Sequence, residues 1–418
     1  MISDVLANGP ALVAWAAVLY KLSARRRSPD DPAAHPYLWT LVALASALTV
    51  LAHPVYVTLD RLAGIPNLAR LLGHGFIMLT AWNARSTLSY VNYPFEEARS
   101  RVRHHGAILV VALVFMVVLF GLAPVDEETI QFMSRYATAP FILEYWLVFL
   151  GFLGVALFDI VRLDLAHAER ADNPSLKLGL RTVALGGIVG LGYVANEGLY
   201  VLGRQVDATY PLGDKDMVTT VLVAGGTSLM IIGSTMPAWG PVVGIPAAAR
   251  WLDRYRMLRT LYPLWIDLYR ASPEIALAPP SSPMKDALSL RDLNVSLYRR
   301  VVEIRDGLLT LRPYVDPRVR EDAIALGRST GLAGDELVTV AEAVTVAAAI
   351  RAKRRGHAAA DGGLVAAAPA DSDLGAEAAY LTRLSRAYRS SPVVKMMLDH
   401  TENADLDGGL VQQGTRRP

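Results

Sequence analysis

The sequence contains no cysteine, which removes disulfide cross-links, thiolate metal centres and cysteine nucleophiles from consideration. It is also poor in charge. Asp, Glu, Lys and Arg make up 19% of 418 residues, and 41 basic against 39 acidic side chains leave a net charge of +2 with neutral histidine. So small an excess does not argue for nucleic acid, whose binding rests on neutralising many phosphates. The motifs of common soluble sites are missing as well. There is no G-x-x-x-x-G-K-[ST], no H-E-x-x-H, no G-x-S-x-G and no EF-hand loop, so ATP-driven pumping and the commonest hydrolases have no local signature. The sequence names no cofactor and leaves the question of a metal open.

What the chain does have is apolar length. Hydrophobic residues reach 53%, and they are unevenly placed. A bilayer core about 30 Å thick needs roughly 20 mainly apolar residues of helix, because unpaired backbone groups are not tolerated in lipid. Seven stretches approach this: Val5 to Leu22, Tyr37 to Leu59, Asn67 to Val91, Ile108 to Leu122, Ala139 to Val161, Leu180 to Leu202 and Met217 to Met236. In the first, positive charge follows the apolar region and no A-x-A site comes after it, so it reads as an uncleaved helix. From Ala247 onward charge recurs every few residues and no run reaches spanning length. The pattern predicts an all-α protein: a transmembrane seven-helix bundle over 1–240, then a small helical domain over 247–400.

The placement of basic residues predicts orientation. Loops after the first, third and fifth spans carry Lys21, Arg25, Arg26 and Arg27; Arg99, Arg101 and Arg103; and Arg162, Arg170 and Lys177. By the positive-inside rule these loops are cytoplasmic. The N-terminus is then outside, and the C-terminal domain lies in the cytoplasm beneath the cell membrane. Arg250, Arg254, Arg256 and Arg259 directly after the seventh span agree. The bilayer is the first partner implied, and a cytoplasmic protein partner of the C-terminal domain is the second.

Ionisable side chains inside lipid are costly, so each one in a span is a functional candidate. His53, His74, Arg85, Glu144 and Glu197 stand out, with Asn83 and Asn196 as polar companions. With the N-terminus outside, His53, His74, Glu144 and Glu197 all fall in the outer half of the bilayer. Together with Asn196 they form a candidate outer polar pocket, able to relay protons, hold a cation or bind a cationic solute. Arg85 lies deeper and is expected to reach the cytoplasmic interface along its own stem. His74 and Arg85, eleven residues apart, differ by only about 20° in helical angle and share a face. Gly186 and Gly190 form a G-x-x-x-G step, and Gly225 and Gly226 are a further pair suited to close helix approach.

In the C-terminal half, Pro237, Pro241 and Pro246 mark the membrane exit, and Pro263 is expected to kink or break the helix that follows. Leu293, Leu297, Val301, Ile304, Leu308 and Leu311 recur at spacings of three and four. This predicts a core helix with a solvated back holding Arg299, Arg300, Glu303 and Asp306. Further helices are expected over 317–330, 335–354 and 376–398. The basic run Arg351, Lys353, Arg354 and Arg355 suits a solvated helix C-terminus. Residues 358–374 and 401–418 offer little to bury and are expected to be flexible.

At LYPLWIDLYRASPEIAL (Leu261 to Leu277) and SLYRRVVEIRDGLLTLRPY (Ser296 to Tyr314) the chain resembles a group of actinobacterial integral membrane proteins described as transporters. These have seven membrane helices and a cytoplasmic domain of unknown function. The resemblance implies architecture and a small-solute transporter, and carries no catalytic or binding residues with it. Two further readings remain open on the residues alone: a membrane sensor or scaffold coupling the outer pocket to the helical domain, and an intramembrane metal-dependent hydrolase.

Overall fold

A computed structural model describes residues 2–25, 34–125, 127, 129, 132–277, 293–357 and 374–399. Apart from Leu374, the segment 358–374 and the tail 401–418 lie outside the described residues. Among the described residues every regular element is helical, and the chain divides into two units, Met1–Pro246 and Ala247–Pro418.

The first unit is a helix bundle of a membrane protein. It comprises α1 (Ile2–Arg25), α2 (Ala34–Val50), α3 (His53–Ala63), α4 (Leu68–Asn92), α5 (Phe95–Leu122), a short α6 (Phe132–Tyr136), α7 (Ile142–Arg170), α8 (Pro174–Gln205) and α9 (Lys215–Trp239). Contacts run from α1 to α2, α2 to α4, α4 to α7, α7 to α8, α8 to α9 and from α9 back to α1. The six helices close a ring, with α5 packed outside against α4 and α7. Val110, Val111, Val114, Phe115, Val117 and Val118 of α5 are exposed, which suits a helix whose outer surface is solvated by lipid.

Among the described residues α5, α7, α8 and α9 can each cross a bilayer by length and composition, and α2 with α3, bent by 80°, makes a fifth crossing only if the pair is one broken span. This is fewer than the seven spans expected, for reasons visible in the packing. The second span is broken after Val50, because Pro54 cannot continue the ladder and Ala52 is extended at ψ 132. The third, α4, carries Arg70, His74, Asn83 and Arg85, yet it touches α2, α3, α5 and α7. Protein, more than lipid, surrounds it, so its polar side chains find partners there. In α1 the stretch Ala11–Tyr20 is a shorter apolar helix among the described residues.

The N-terminus of each helix of the α8–α9 hairpin is capped by a side chain. Asn173 accepts from Ser175 N at 2.9 Å and Leu176 N at 3.4 Å, while Asp214 accepts from Asp216 N at 3.0 Å and Met217 N at 3.2 Å. Along the hairpin, a Cβ added at Gly179 would lie 2.6 Å from the Gly233 carbonyl oxygen, and one at Gly186 would lie 2.8 Å from that of Gly226. The glycine step predicted at Gly186 and Gly190 is therefore split. Gly186 faces α9, whereas Gly190 and its neighbour Gly187 lie against Leu157 and Val161 of α7. Gly226 takes part in the seam, and Gly225 has open space.

Two of the prolines expected to interrupt helices, Pro237 at the membrane exit and Pro263 as a kink or break, lie within continuous helices, α9 and α10 (Ile245–Ala271) respectively. Pro237 has no N–H for the carbonyl four residues earlier, and that carbonyl, Gly233, is the one set against Gly179. Close packing there accepts an oxygen that the helix leaves without its usual partner.

The second unit holds α10, a 3₁₀ turn Pro273–Ile275, α11 (Leu293–Thr310), a second turn Arg312–Tyr314, α12 (Pro317–Ser329), α13 (Gly334–Arg355), α14 (Leu374–Ser390) and a helix over 392–399. Its core is one cluster with Leu261, Leu264 and Leu268 of α10, Val301 and Ile304 of α11, Val344 and Ile350 of α13, and Leu384 of α14. The stripe predicted on α11 does face this core. Glycine at 356, φ +74, ends α13 in the left-handed conformation that a side chain disfavours.

Candidate functional site

The candidate polar residues of the bundle separate into distinct sets. Asn196 and Glu197, two turns from the end of α8, are buried with groups from the hairpin and α9. Glu197 is 1% exposed. It accepts a 2.6 Å hydrogen bond from Thr219 Oγ1, and Lys215 Nζ lies 3.1 Å from its other oxygen. Asn196 donates to Thr219 Oγ1 at 3.2 Å and accepts from the Tyr210 hydroxyl. Lys215 Nζ also lies 5.0 Å from the Tyr200 ring centre. A carboxylate this far from water is tolerable only with a counter-charge and filled lone pairs. Lys215 supplies the counter-charge and Thr219 fills one oxygen, while Glu197 Oε2 has no hydrogen-bond partner among the described residues.

His74 is buried in an aromatic setting. Its Nδ1 shares a 2.9 Å hydrogen bond with Tyr145 Oη, its ring stacks on Phe149 at 4.1 Å between centres, and Trp146 meets it edge-on at 5.0 Å. Tyr145 and Tyr193 pack in one apolar cluster of the bundle. His53 and Glu144 are placed otherwise. Both side chains are exposed, His53 at the first position of α3 beyond the bend and Glu144 in the first turn of α7.

Arg85 does not reach out along its stem as expected. It forms an ion pair with Asp159 of α7, with both side chains mostly shielded. Sharing a face with His74 explains this: that face of α4 is turned to α7, which offers Tyr145 and Phe149 to one residue and Asp159 to the other.

A further network at the start of α4 was not legible in the sequence. Asp60 accepts from Asn67 N at 2.7 Å and Ala69 N at 2.8 Å, capping the helix from outside it. Asn67, left-handed at φ 61, accepts from the Tyr56 hydroxyl at 2.9 Å and donates to the Glu127 carbonyl at 2.8 Å. Lys215, Thr219 and Tyr210 were likewise missed, since each lies across a turn from Asn196 and Glu197. The one available signal was Asp214, a helix-cap residue that places Lys215 at the start of the next helix. Among the described residues no three His, Asp or Glu side chains gather to hold a metal ion.

The second unit has its own buried charges. Glu303 of α11 accepts from Trp265 Nε1 at 2.7 Å, from Leu277 N at 3.2 Å and from Arg299 Nε at 2.7 Å. The Arg300 guanidinium lies 3.9 Å from the Trp265 ring centre. Arg300 and Glu303, expected on a solvated back, are buried. The basic end of α13 is also tied down, with Arg351 donating to the Leu398 carbonyl, Lys353 to Ser272 Oγ, and Arg354 pairing with Asp267 at 3.2 Å. Residues 250–390 match a family of unknown function, DUF6545. Both segments that carried the resemblance, with Trp265, Arg300 and Glu303, fall inside the matched residues. No curated protein and no solved structure matches the chain.

One carboxyl of the DUF6545 region yields a pH prediction. Burial raises the pKa of Glu342, against the lowering effects of the Tyr380 hydroxyl, which donates to it at 2.8 Å, and of Arg320. The folded state therefore holds this proton more tightly than the unfolded chain. Stability from this group is fully present below the unfolded carboxyl pKa of about 4.3 and is lost as pH rises through the raised folded value. Glu342→Gln keeps an acceptor for Tyr380 and has no proton to lose. Its stability relative to the parent should rise from acid toward neutral pH and then level off. Denaturant unfolding at a series of pH values checks this, and a difference that does not vary with pH removes Glu342 as the cause.

Proposed function

We propose that the chain is a multi-pass protein of the cell membrane, N-terminus outside, that senses a cationic solute at the Glu197 site and presents the DUF6545 region in the cytoplasm as its output domain. The observation that carries this reading is the buried Glu197 carboxylate held by Lys215 at 3.1 Å. A lysine ammonium is a tethered copy of an amine ligand, so a free amine or a small cation can compete for the same carboxylate. Thr219 stays in place as a further polar contact to the carboxylate. Release of Lys215 at the start of α9 is then a local charge event of the kind that biases a helix between two arrangements.

The expected result is a rise in the melting temperature of the purified full-length protein with one class of amine or cation. Binding to the native state stabilises it by about 2.7 kcal/mol at a hundred times the dissociation constant. The shift should vanish in Glu197→Gln and persist in Glu144→Gln, whose parent side chain is exposed. A broad panel without any shift would sink the sensor reading and leave the bundle as an anchor for the DUF6545 region. A small-solute transporter, the activity implied by the resemblance, is the second reading. In its favour stands the Arg85–Asp159 pair, a second shielded charge pair between helices of the same bundle.

A further inference from the structure

The face of α11 turned away from the core is not the polar back that its sequence suggested. Its exposed residues are Asn294, Val295, Tyr298, Val302, Arg305, Asp306 and Leu309. Four of them are large and apolar, with Val295 65%, Tyr298 56%, Val302 37% and Leu309 51% exposed. They recur at spacings of three, four and seven, the period of a helix-pairing seam. The domain core is already served from the opposite face by Leu297, Val301, Ile304 and Leu308, and among the described residues this second stripe is left exposed. An ordered apolar stripe on a soluble surface marks an interaction site.

We propose that a second copy of the chain docks here, its α11 antiparallel to the first about a two-fold axis between Val302 and Glu303. Charge selects both partner and direction. Arg299 and Asp306 lie seven residues apart and so on one flank of the stripe, about 20° apart around the helix. In an antiparallel two-fold interface each contact occurs twice, and a flank of one copy meets the same flank of the other. With the axis at this point, Arg299 of each copy faces Asp306 of the other. A parallel pair would set each flank against the opposite one, which carries Arg305 and Asn294 in place of an acid. Arg299 is also steadied for this contact, because its Nε is held by Glu303 at 2.7 Å.

Four apolar side chains offer less than the roughly 800 Å² per partner of a typical stable complex. Copies confined to one bilayer meet at a raised effective concentration, which offsets the small area. The dimer is therefore expected in membranes and weak in dilute detergent.

The cysteine-free sequence makes the test clean. In membranes carrying the full-length chain, oxidation of Val302→Cys should trap a dimer, because this residue meets itself at the axis and a disulfide needs Cβ atoms about 3.5–4.5 Å apart. Val338→Cys on α13, at 45% exposure, is the collision control and should cross-link about tenfold more slowly. Val295→Cys and Leu309→Cys should do little singly and form a mixed dimer when co-expressed. Adding Asp306→Arg to Val302→Cys should lower the yield. Cross-linking at 302 no faster than at 338 overturns the proposal. So does equal self-cross-linking at 295, 302 and 309, the mark of a parallel pair. So too does a Cys at 302 that maleimide cannot reach in monomeric protein, which would mean that the chain covers its own stripe.

Discussion

A Gly233→Val protein is expected to lose about 1–3 kcal/mol or more of bundle stability, while Gly225→Ala, eight residues earlier on the same helix, should be neutral or slightly stabilising. The physical difference lies in what a new Cβ meets. At Gly233 it would stand 2.6 Å from the Gly179 carbonyl oxygen and 2.7 Å from Val183 N, both backbone atoms of α8. No rotamer change relieves a clash with backbone, so α8 and α9 must separate, and overpacking of this kind costs about 1–3 kcal/mol and occasionally more. At Gly225 a Cβ meets nothing within 4 Å. There the substitution only removes glycine from a helix interior, a gain of roughly 0.5–1 kcal/mol. Thermal melting of the two variants in detergent checks the contrast. Equal melting temperatures would show that the glycine seam does not set the helix spacing.

The second large effect is expected at Glu303. Glu303→Ala leaves the Trp265 indole N–H and the Leu277 amide without their acceptor, beside the buried Arg300. Removing one member of a buried charged set costs about 3–5 kcal/mol, because the remaining groups keep their desolvation penalty. Arg299→Gln should be far milder, within about 1 kcal/mol, since its side chain is 40% exposed and water replaces the contact. Protease resistance of the DUF6545 region in the full-length chain distinguishes the two. Equal resistance would mean that Glu303 is not a structural centre of the domain. This expectation also bears on the match to a family of unknown function, since the Trp265–Glu303 contact joins the two sequence segments that first carried a resemblance.

How much was legible depended on the kind of signal. The stripe Leu293 to Leu311 appears in sequence because core burial imposes a period of three and four, and the structure turns it inward. The same reasoning assigned Arg299, Arg300, Glu303 and Asp306 together to a solvated back. Periodicity sees only the helix itself, and Trp265, Arg300 and Glu303 are brought together from two helices, with Trp265 and Glu303 38 positions apart. The outer polar residues behaved likewise. His74, Asn196 and Glu197 were picked out by their cost in lipid, and they are buried with partners. His53 and Glu144 were picked out by the same rule, but the 80° bend after α2 and the position of Glu144 in the first turn of α7 leave both exposed.

The sequence by itself determined that the chain is helical, that its first part is apolar enough to build a membrane bundle and that its second part is a charged helical domain. These follow from local composition and period, which each segment carries without its neighbours. Only the tertiary structure decided which glycines form the α8–α9 seam, that Arg85 pairs with Asp159, and that Glu197 is neutralised by Lys215. Each of these depends on the rotation of one helix about its axis relative to another. That rotation is fixed by close packing over many contacts and is not written in any single segment.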